Sequence, residues 1–224
     1  MEMTSFLDSE IKHVKAKKIA LGIIVAVIII TAFVVDRYIN ADRVYYLAVH
    51  QQEEGNVVEA KKGYEDALHM NPWHADANYQ LGILLSREGK TSEAVKLIQR
   101  ALQLKDEPDY YVGLGHLYLN KLKDASRAEA SFRKAYDLDP KNYYACSMLG
   151  NLAERRHNND KAIQYYEQAI RLDPQLTACY KNLAAIYDAK GMTGKAGEYW
   201  RDVLRINPKD EDAKAYFKVG KSAN

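Results

Sequence analysis

The strongest constraint on this sequence is a motif that recurs every 34 residues. It consists of alanine, an aromatic residue four positions later, a second small residue after three more, and proline five positions beyond that. Four copies lie at Ala60/Tyr64/Ala67/Pro72, Ala128/Phe132/Ala135/Pro140, Ala162/Tyr166/Ala169/Pro174 and Ala196/Trp200/Val203/Pro208, and a weaker copy has Ala94/Ile98/Ala101 with Asp106 at the proline position. Because one short repeat cannot bury its apolar face alone, the pattern predicts a stacked array.

A second signature, leucine followed by glycine or alanine, precedes each copy of the motif. It occurs at Leu47-Ala48, Leu81-Gly82, Leu114-Gly115, Leu149-Gly150 and Leu183-Ala184. Small side chains there let two antiparallel helices approach closely, while the aromatic residue of the motif fills the space between repeats. Gly55, Gly89 and Gly191 fall between the two halves, where a tight turn between helices needs glycine. Each repeat is therefore predicted to be a helix-turn-helix pair.

At these residues the chain resembles the tetratricopeptide repeat family, over residues 41–210. The resemblance implies an all-α fold, an α-solenoid of five repeats with a capping helix at 211–224. The predicted repeats are 41–74, 75–108, 109–142, 143–176 and 177–210. In the third repeat, Leu114-Gly115 comes one residue early and the segment KLKDASR is one residue long, so we expect an altered loop there with a slight kink.

Seventeen residues without a charge, at 19–35, precede the repeats. As a helix they span about 25 Å, at the short end of the range for crossing a bilayer. A buried core helix and the hydrophobic stretch of a cleaved signal peptide are the alternatives. Asp36, Arg37 and Tyr38 follow at once and suit a membrane interface, which favours a transmembrane signal anchor at 19–37. Since neither glycine nor proline separates it from the first repeat, we expect the helix to continue into that repeat.

Lysines in the preceding tail determine the predicted orientation. Lys12, Lys15, Lys17 and Lys18 lie immediately before the apolar stretch. The positive-inside rule therefore places the tail, residues 1–18, in the cytoplasm. The repeats are then extracytoplasmic, and the predicted location is the periplasmic side of a bacterial inner membrane.

The charge balance and the absence of catalytic motifs argue against an enzyme and against nucleic-acid binding. Lys and Arg total 32 against 30 Asp and Glu, and this net charge of +2 is too small for the positive field that phosphate backbones require. The sequence contains neither GxxxxGK[ST] nor GxSxG, and its six histidines never pair at the i, i+4 spacing of a helical metal site. We therefore expect no catalytic residue, cofactor, metal or small-molecule substrate. His69 and His74 are interpreted as parts of a solvated turn, and Cys146 and Cys179 as small buried apolar residues.

The resemblance also implies a partner-binding groove, because the first helices of tetratricopeptide repeats line a concave surface. Transferring the family's groove positions to this sequence gives Tyr45, Tyr46, Val49, Tyr79, Gln80, Ile83, Arg87, His116, Asn120, Tyr144, Met148, Asn151, Arg155, Lys181 and Asn182. Tyrosines and a methionine offer apolar contact, while amides and charges can bond a peptide backbone. The expected partner is a protein segment, extended or helical; merely solvated helix faces are the alternative.

These features predict a membrane-anchored protein-interaction scaffold. A clamp for chaperone C-termini is disfavoured, because Ser147 replaces the lysine of that clamp and Asp212 and Tyr216 replace its basic pair. The layout resembles anchored repeat proteins associated with the secretion translocon and those that hold apocytochrome during haem attachment. It therefore implies assembly of an envelope complex or a periplasmic chaperone role. The alternatives are a permanent structural subunit of a membrane machine or organelle coat, and a cytosol-facing import receptor.

Overall fold

The computed structural model describes residues 2–222, with side chains described at positions 13 and 15 and over 17–218. All regular elements in these residues are helices, which confirms the predicted all-α class. The chain forms two compact units, Met1–Leu81 and Gly82–Asn224. Most side chains of the predicted cytoplasmic tail, including Lys12, and residues 223–224 of the predicted capping helix lie outside the described part.

The helices follow one another in antiparallel pairs. The first unit contains α1 (Glu2–Glu53), α2 (Val57–Met70) and the start of α3 (Ala75–Arg87). The second unit contains the end of α3 and α4 (Thr91–Leu104), α5 (Pro108–His116) with a following π turn (Leu117–Lys121), α6 (Ala125–Leu138), α7 (Tyr143–Arg155), α8 (Asn159–Leu172), α9 (Thr177–Ala189), α10 (Thr193–Ile206) and α11 (Glu211–Ser222). Helix α1 packs on α2, α5 on α6, α7 on α8 and α9 on α10. These pairs are the helix-turn-helix repeats of the predicted solenoid.

Helix α1 carries the apolar stretch into the first repeat without interruption. It is a single helix from Glu2 to Glu53, which confirms the expected continuity. The side chains of residues 19–35 are exposed, with Ile19 at 65% and Phe33 at 68%, so the buried-core alternative is wrong. By length and composition, α1 is able to cross a membrane.

The residues of the 34-residue motif form the core. Its leading alanines are all fully buried: Ala60, Ala94, Ala128, Ala162 and Ala196. The aromatic side chains of Tyr64, Phe132 and Tyr166 are also fully buried, and burying a side chain of this size contributes about 1.5–3 kcal/mol. In the last repeat, the half-buried Trp200 ring lies 5.8 Å from that of Tyr216 in α11. Helix α11 therefore covers the end of the array.

Glycine permits the close approach of paired helices. It lies on the first helix of the pair in the fourth repeat and on the second helix of the pair in the first repeat. A Cβ at Gly150 would lie 2.7 Å from the ring of Tyr166, so only glycine fits there without displacing the ring. The first repeat has Ala48 at the equivalent position. Gly63 on the facing helix supplies the space, because a Cβ there would lie 2.6 Å from the Ala48 Cβ.

The third repeat is irregular, but in its first helix and not in the loop where the change was expected: the loop at 122–124 is as long as the one at 156–158 in the fourth repeat. The connection before the third repeat, residues 105–107, is one residue shorter than the connection at 139–142 before the fourth repeat. Its first helix, α5 with the π turn, is one residue longer than α7. The extra residue is taken up as a π turn at Leu117–Lys121, the form in which π-helix usually occurs inside α-helices. The period of 34 residues is therefore kept.

Two predictions about single residues have opposite outcomes. Cys146 and Cys179 are buried and free, as predicted. The interpretation of His74 as a solvated residue is wrong, because its side chain is buried. Its Nδ1 accepts a 3.2 Å hydrogen bond from the backbone N–H of Ala77, and its Nε2 lies 3.3 Å from Oδ1 of Asp42. His74 therefore caps the start of α3 and links it to α1.

Candidate functional site

The first helices of the fourth and fifth repeats, α7 and α9, line a cleft of about 380 Å3 together with the start of α8. The residues that line it are Asn151, Glu154, Arg155, His157, Asn159, Asn182, Ala185, Ile186 and Ala189. Asn151 and Arg155 are four residues apart on α7, so they share one helix face. The structure thus brings together three of the predicted groove residues, Asn151, Arg155 and Asn182.

The core fixes two side chains of this cleft. The buried hydroxyl of Tyr166 donates a 2.8 Å hydrogen bond to Oε2 of Glu154, and the Asn182 side chain bonds the same hydroxyl. Burial raises the pKa of Tyr166 above its ordinary value and the Glu154 carboxylate raises it further, so the hydroxyl stays protonated and remains a donor. Among the described residues, the side chains of Asn151 and Arg155 have no hydrogen-bond partner. Glu154 and Asn182, which are hydrogen-bonded to Tyr166, therefore lie beside Asn151 and Arg155, which are available to a ligand.

A second set of predicted residues meets between α5, the π turn and α7. The rings of His116 and Tyr144 are 5.1 Å apart, and the Asn120 Nδ2 lies 3.2 Å from the His116 Nδ1. Burial lowers the pKa of His116, which favours the neutral ring. Met148 follows Tyr144 by one helical turn and is half-buried on the same face. These side chains form a mixed aromatic and polar surface.

Lys181, predicted as a groove residue, forms ion pairs with acidic residues just before and within the capping helix α11. Its Nζ lies 2.7 Å from Oδ2 of Asp212 and 3.0 Å from Oδ2 of Asp210. These two hydrogen bonds raise the pKa of Lys181 and neutralise its charge locally. Lys181 therefore joins α9 to the start of α11, and the prediction of an open cation at this position is corrected.

In the first unit and along α3, the predicted groove residues differ in their exposure. Tyr45 is only 9% exposed, and its ring lies 4.5 Å from that of His74 and 5.8 Å from that of Tyr64. Burial raises the pKa of Tyr45 to about 12. Tyr45 is thus a core residue, and its assignment as a groove contact is corrected. The other predicted residues reach the surface: Tyr46 and Arg87 are exposed, whereas Val49, Tyr79, Gln80 and Ile83 are half-buried.

Comparison with known families decides what the helix pairs are. Models of the tetratricopeptide repeat match residues 51–114, 108–142 and 143–176. The chain belongs to the tetratricopeptide repeat family. As a member of this family, it is a scaffold for protein–protein interaction.

Individual proteins are similar to this chain at low sequence identity. BBSome complex member BBS4 of Bos taurus is 27% identical over 168 residues, which are 74% of this chain and 32% of that protein. Protein O-mannosyl-transferase Tmtc3 of Drosophila melanogaster is 26% identical over 137 residues, 59% of this chain and 15% of that protein. The chain therefore spans a third or less of either relative. Among solved structures, pilF of Pseudomonas aeruginosa shares the fold, with a TM-score of 0.73, 19% identity, and coverage of 83% of this chain and 86% of that one.

An apolar cleft on the first tetratricopeptide repeat was not predicted. It measures about 520 Å3 and is lined by Val44, Leu47, Ala48, Gln51, Glu59, Lys62, Gly63 and Asp66 of α1 and α2. Leu47 is 62% exposed, whereas the equivalent leucines of later repeats, such as Leu149 and Leu183, are buried. The sequence contained a signal for this cleft. Leu47 belongs to the first repeat, and the segment that precedes this repeat is the apolar stretch instead of another repeat.

Proposed function

We propose that this tetratricopeptide chain is a membrane-anchored scaffold that holds a segment of a partner protein against the first helices of its second unit. The α7–α9 cleft is the observation that carries the proposal. There the free Asn151 amide and the exposed Arg155 lie beside Asn182 and Glu154. An amide offers both a donor and an acceptor, which suits the backbone of an extended peptide.

The surface around His116 and Tyr144 adds aromatic contacts to the polar contacts of the cleft. Aromatic side chains supply most of the binding energy at many protein interfaces, and Tyr144 is exposed. This surface can therefore make apolar contacts with a partner segment whose backbone is bound by the amides of the cleft. No catalytic role is proposed, and the transferase activity of Tmtc3 belongs to a protein of which this chain matches only 15%.

The apolar part of α1 is proposed as the membrane anchor. Its exposure supports this role, since the exposed stretch at 19–35 has fifteen apolar residues among its seventeen, which is unfavourable in water and favourable in lipid. The lysine-rich tail supports a cytoplasmic N-terminus with extracytoplasmic repeats, at the periplasmic side of a bacterial inner membrane. Anchoring raises the local concentration of the binding surface near other membrane complexes. The proposed role is therefore assembly of an envelope complex or a periplasmic chaperone.

Site-specific crosslinking tests the binding surface. A photoreactive residue at Ala185, inside the cleft, should crosslink a partner in native membranes. The same residue at Gln164, exposed on the second helix α8, should not. Asn151→Ala combined with Arg155→Glu should greatly reduce crosslinking from Ala185. Equal crosslinking from both positions, or no effect of the double change, would contradict the proposal.

Thiol labelling tests the topology. Because Cys146 and Cys179 are buried, new cysteines are needed at exposed positions, Ser126→Cys in the repeats and His13→Cys in the tail. A membrane-impermeant maleimide should label Ser126→Cys when only the outer membrane is permeable, and His13→Cys only after the inner membrane is broken. The reverse pattern would place the repeats in the cytosol, as in an import receptor.

A permanent structural subunit is the second candidate function. The similarity to BBS4, a member of the BBSome complex, favours it. Quantifying the crosslinked partners separates the two roles. One partner in equimolar amount would indicate a subunit, whereas several partners in smaller amounts would indicate a chaperone or assembly factor.

A further inference from the structure

The turn between α2 and α3 differs from the other turns between repeats. The residue after the turn proline is Trp73, and its side chain is 61% exposed. At the equivalent position, the later turns have Lys141, Gln175 and Lys209. All four turns have the same local geometry, since the backbone N–H of this residue donates to the side chain of the Asn or Asp two positions earlier. Trp73 therefore differs from the equivalent residues of the later turns in its side chain and not in its backbone hydrogen bonding.

The turn holds Trp73 in a defined position. The Trp73 backbone N–H donates a 3.0 Å hydrogen bond to the Asn71 Oδ1. The buried Asn78 side chain donates to the carbonyl oxygens of Pro72 and His74, at 3.2 and 2.9 Å. A large apolar ring is thus exposed on a turn whose backbone is held by hydrogen bonds.

Helix register places this turn near the end of the apolar stretch. Gly63 of α2 lies opposite Ala48 of α1, as the 2.6 Å separation of their Cβ positions shows. Because the two helices are antiparallel, Met70, seven residues after Gly63, is level with Ala41, seven residues before Ala48. Ala41 is six residues beyond position 35, or about 9 Å along the helix axis. The turn continues from Met70 toward the apolar stretch and therefore lies within about 9 Å of its end.

Two polar contacts support the same placement. Arg37 follows the apolar stretch, and its Nη2 donates a 2.6 Å hydrogen bond to the carbonyl oxygen of His69 at the end of α2. On the other side of the turn, His74 Nε2 lies 3.3 Å from Asp42 Oδ1. Both ends of the turn are thus attached to the segment of α1 that emerges from the apolar stretch.

We infer that the α2–α3 turn is a second membrane contact, with Trp73 inserted into the headgroup layer of the bilayer that α1 crosses. This inference rests on the proposed membrane span. The headgroup layer is about 5–8 Å thick on each side of a hydrocarbon core of about 30 Å. The apolar stretch, about 25 Å long, is shorter than that core, so the headgroups begin beyond residue 35, at the level of the turn.

Lipid suits this position better than a protein partner does. Tryptophan and tyrosine are enriched at membrane–water interfaces, where an apolar ring with one polar group is favoured. Tyr38, on α1 at the same level, is also exposed. Since the span and the turn belong to one attached structure, insertion of α1 itself brings Trp73 to the bilayer surface. The two contacts together hold the first repeat against the membrane.

Tryptophan fluorescence of the full chain tests the inference. The chain has two tryptophans, Trp73 and Trp200, so Trp200→Phe and Trp73→Phe each leave one reporter. Both variants are reconstituted into phosphatidylcholine–phosphatidylglycerol vesicles with and without brominated acyl chains. Brominated lipid should quench Trp73 and leave Trp200 unchanged, and Trp73 emission should shift to shorter wavelength in vesicles.

The possible outcomes separate the inference from the proposed anchor. If the chain does not float with vesicles after alkaline extraction, the anchor and the inference are both wrong. If it floats but Trp73 is not quenched, or Trp200 is quenched as strongly, only the inference is wrong. Protection of Trp73 from acrylamide without quenching by brominated lipid would mean that protein covers it, which also overturns the inference. Should Trp200→Phe fail to fold, the difference in emission between the natural chain and Trp73→Lys reports the same quantity.

Discussion

The hydroxyl of Tyr166 donates a 2.8 Å hydrogen bond to Oε2 of Glu154, and this contact joins the core of the fourth repeat to the α7–α9 cleft. Tyr166 is fully buried, whereas Glu154 lines the cleft. A residue of the repeat motif thus has two functions: its ring packs the helix pair, and its hydroxyl positions a carboxylate. At the same motif position the third repeat has Phe132, which provides the packing alone.

Tyr166→Phe separates these two functions. We expect a loss of about 1–2 kcal/mol in the free energy of unfolding, because the hydrogen bonds to Glu154 and Asn182 are lost while the Glu154 carboxylate remains accessible to water. Tyr166→Ala should cost about 3–5 kcal/mol, because it also leaves a cavity. Urea denaturation of the full chain in detergent micelles measures both. Equal losses for the two variants would show that the hydroxyl, and not the ring, supplies the stability.

Gly150→Ala should destabilise the fourth repeat. The added Cβ would lie 2.7 Å from the Tyr166 ring, and overpacking of this kind costs about 1–3 kcal/mol. Gly197→Ala is the matched control, because the nearest atom to its Cβ would be 3.9 Å away, in Tyr216. Alanine there should stabilise α10 by up to about 1 kcal/mol through its higher helix propensity. Thermal unfolding of both variants checks the difference in sign.

Acid should destabilise the fold through His116. Burial lowers the pKa of His116 below the ordinary value of 6.5, so below that pH the unfolded chain binds a proton that the folded chain binds less readily. The free energy of unfolding should therefore fall as pH drops below about 6.5. His116→Asn should reduce the difference in stability between about pH 7.5 and about pH 5.5. An undiminished difference in His116→Asn would assign the effect to other groups.

Removal of the cap at Asp210 should loosen α11. Its Oδ1 accepts a 3.1 Å hydrogen bond from the Ala213 backbone N–H, and its Oδ2 lies 3.0 Å from the Lys181 Nζ. Asp210→Ala should cost about 1 kcal/mol, the usual effect of losing a helix N-cap. Hydrogen exchange of the α11 amides should rise accordingly. Asp212→Ala should have a smaller effect, because that side chain is 72% exposed, and a larger effect at Asp212 would contradict the assignment of Asp210 as the cap.

The sequence predicted the helix pairs well, because their core residues recur at fixed spacing. Ala60 and its equivalents are buried at every repeat, and the one-residue shift in the third repeat correctly indicated an irregularity. The expected form, an altered loop, was wrong, because the extra residue lies in the first helix. Whether an extra residue enlarges a loop or enters a helix as a π turn depends on the packing of neighbouring helices.

The binding surface was less predictable, since groove positions were transferred from a family pattern. Asn151, Arg155 and Asn182 line one cleft, and their role in binding a partner remains the proposal made above. Tyr45 and Lys181 do not serve as expected, because each meets a partner that the family pattern does not specify. His74, from the next turn, packs on Tyr45, and the acidic residues before and within α11 bind Lys181.

The sequence by itself determined the repeat period, the all-α class, the helix pairs and the continuous apolar helix before them. These depend on residue type and on spacing within one or two repeats, so they are visible in the chain as written. The tertiary structure decided which side chains remain available for binding, how the π turn keeps the period, and that the turn with Trp73 lies within about 9 Å of the end of the apolar stretch. Those properties depend on contacts between helices, such as Gly63 against Ala48 and Arg37 against His69. The register of packed helices is a property of the folded state, and it places residues side by side that are distant in sequence.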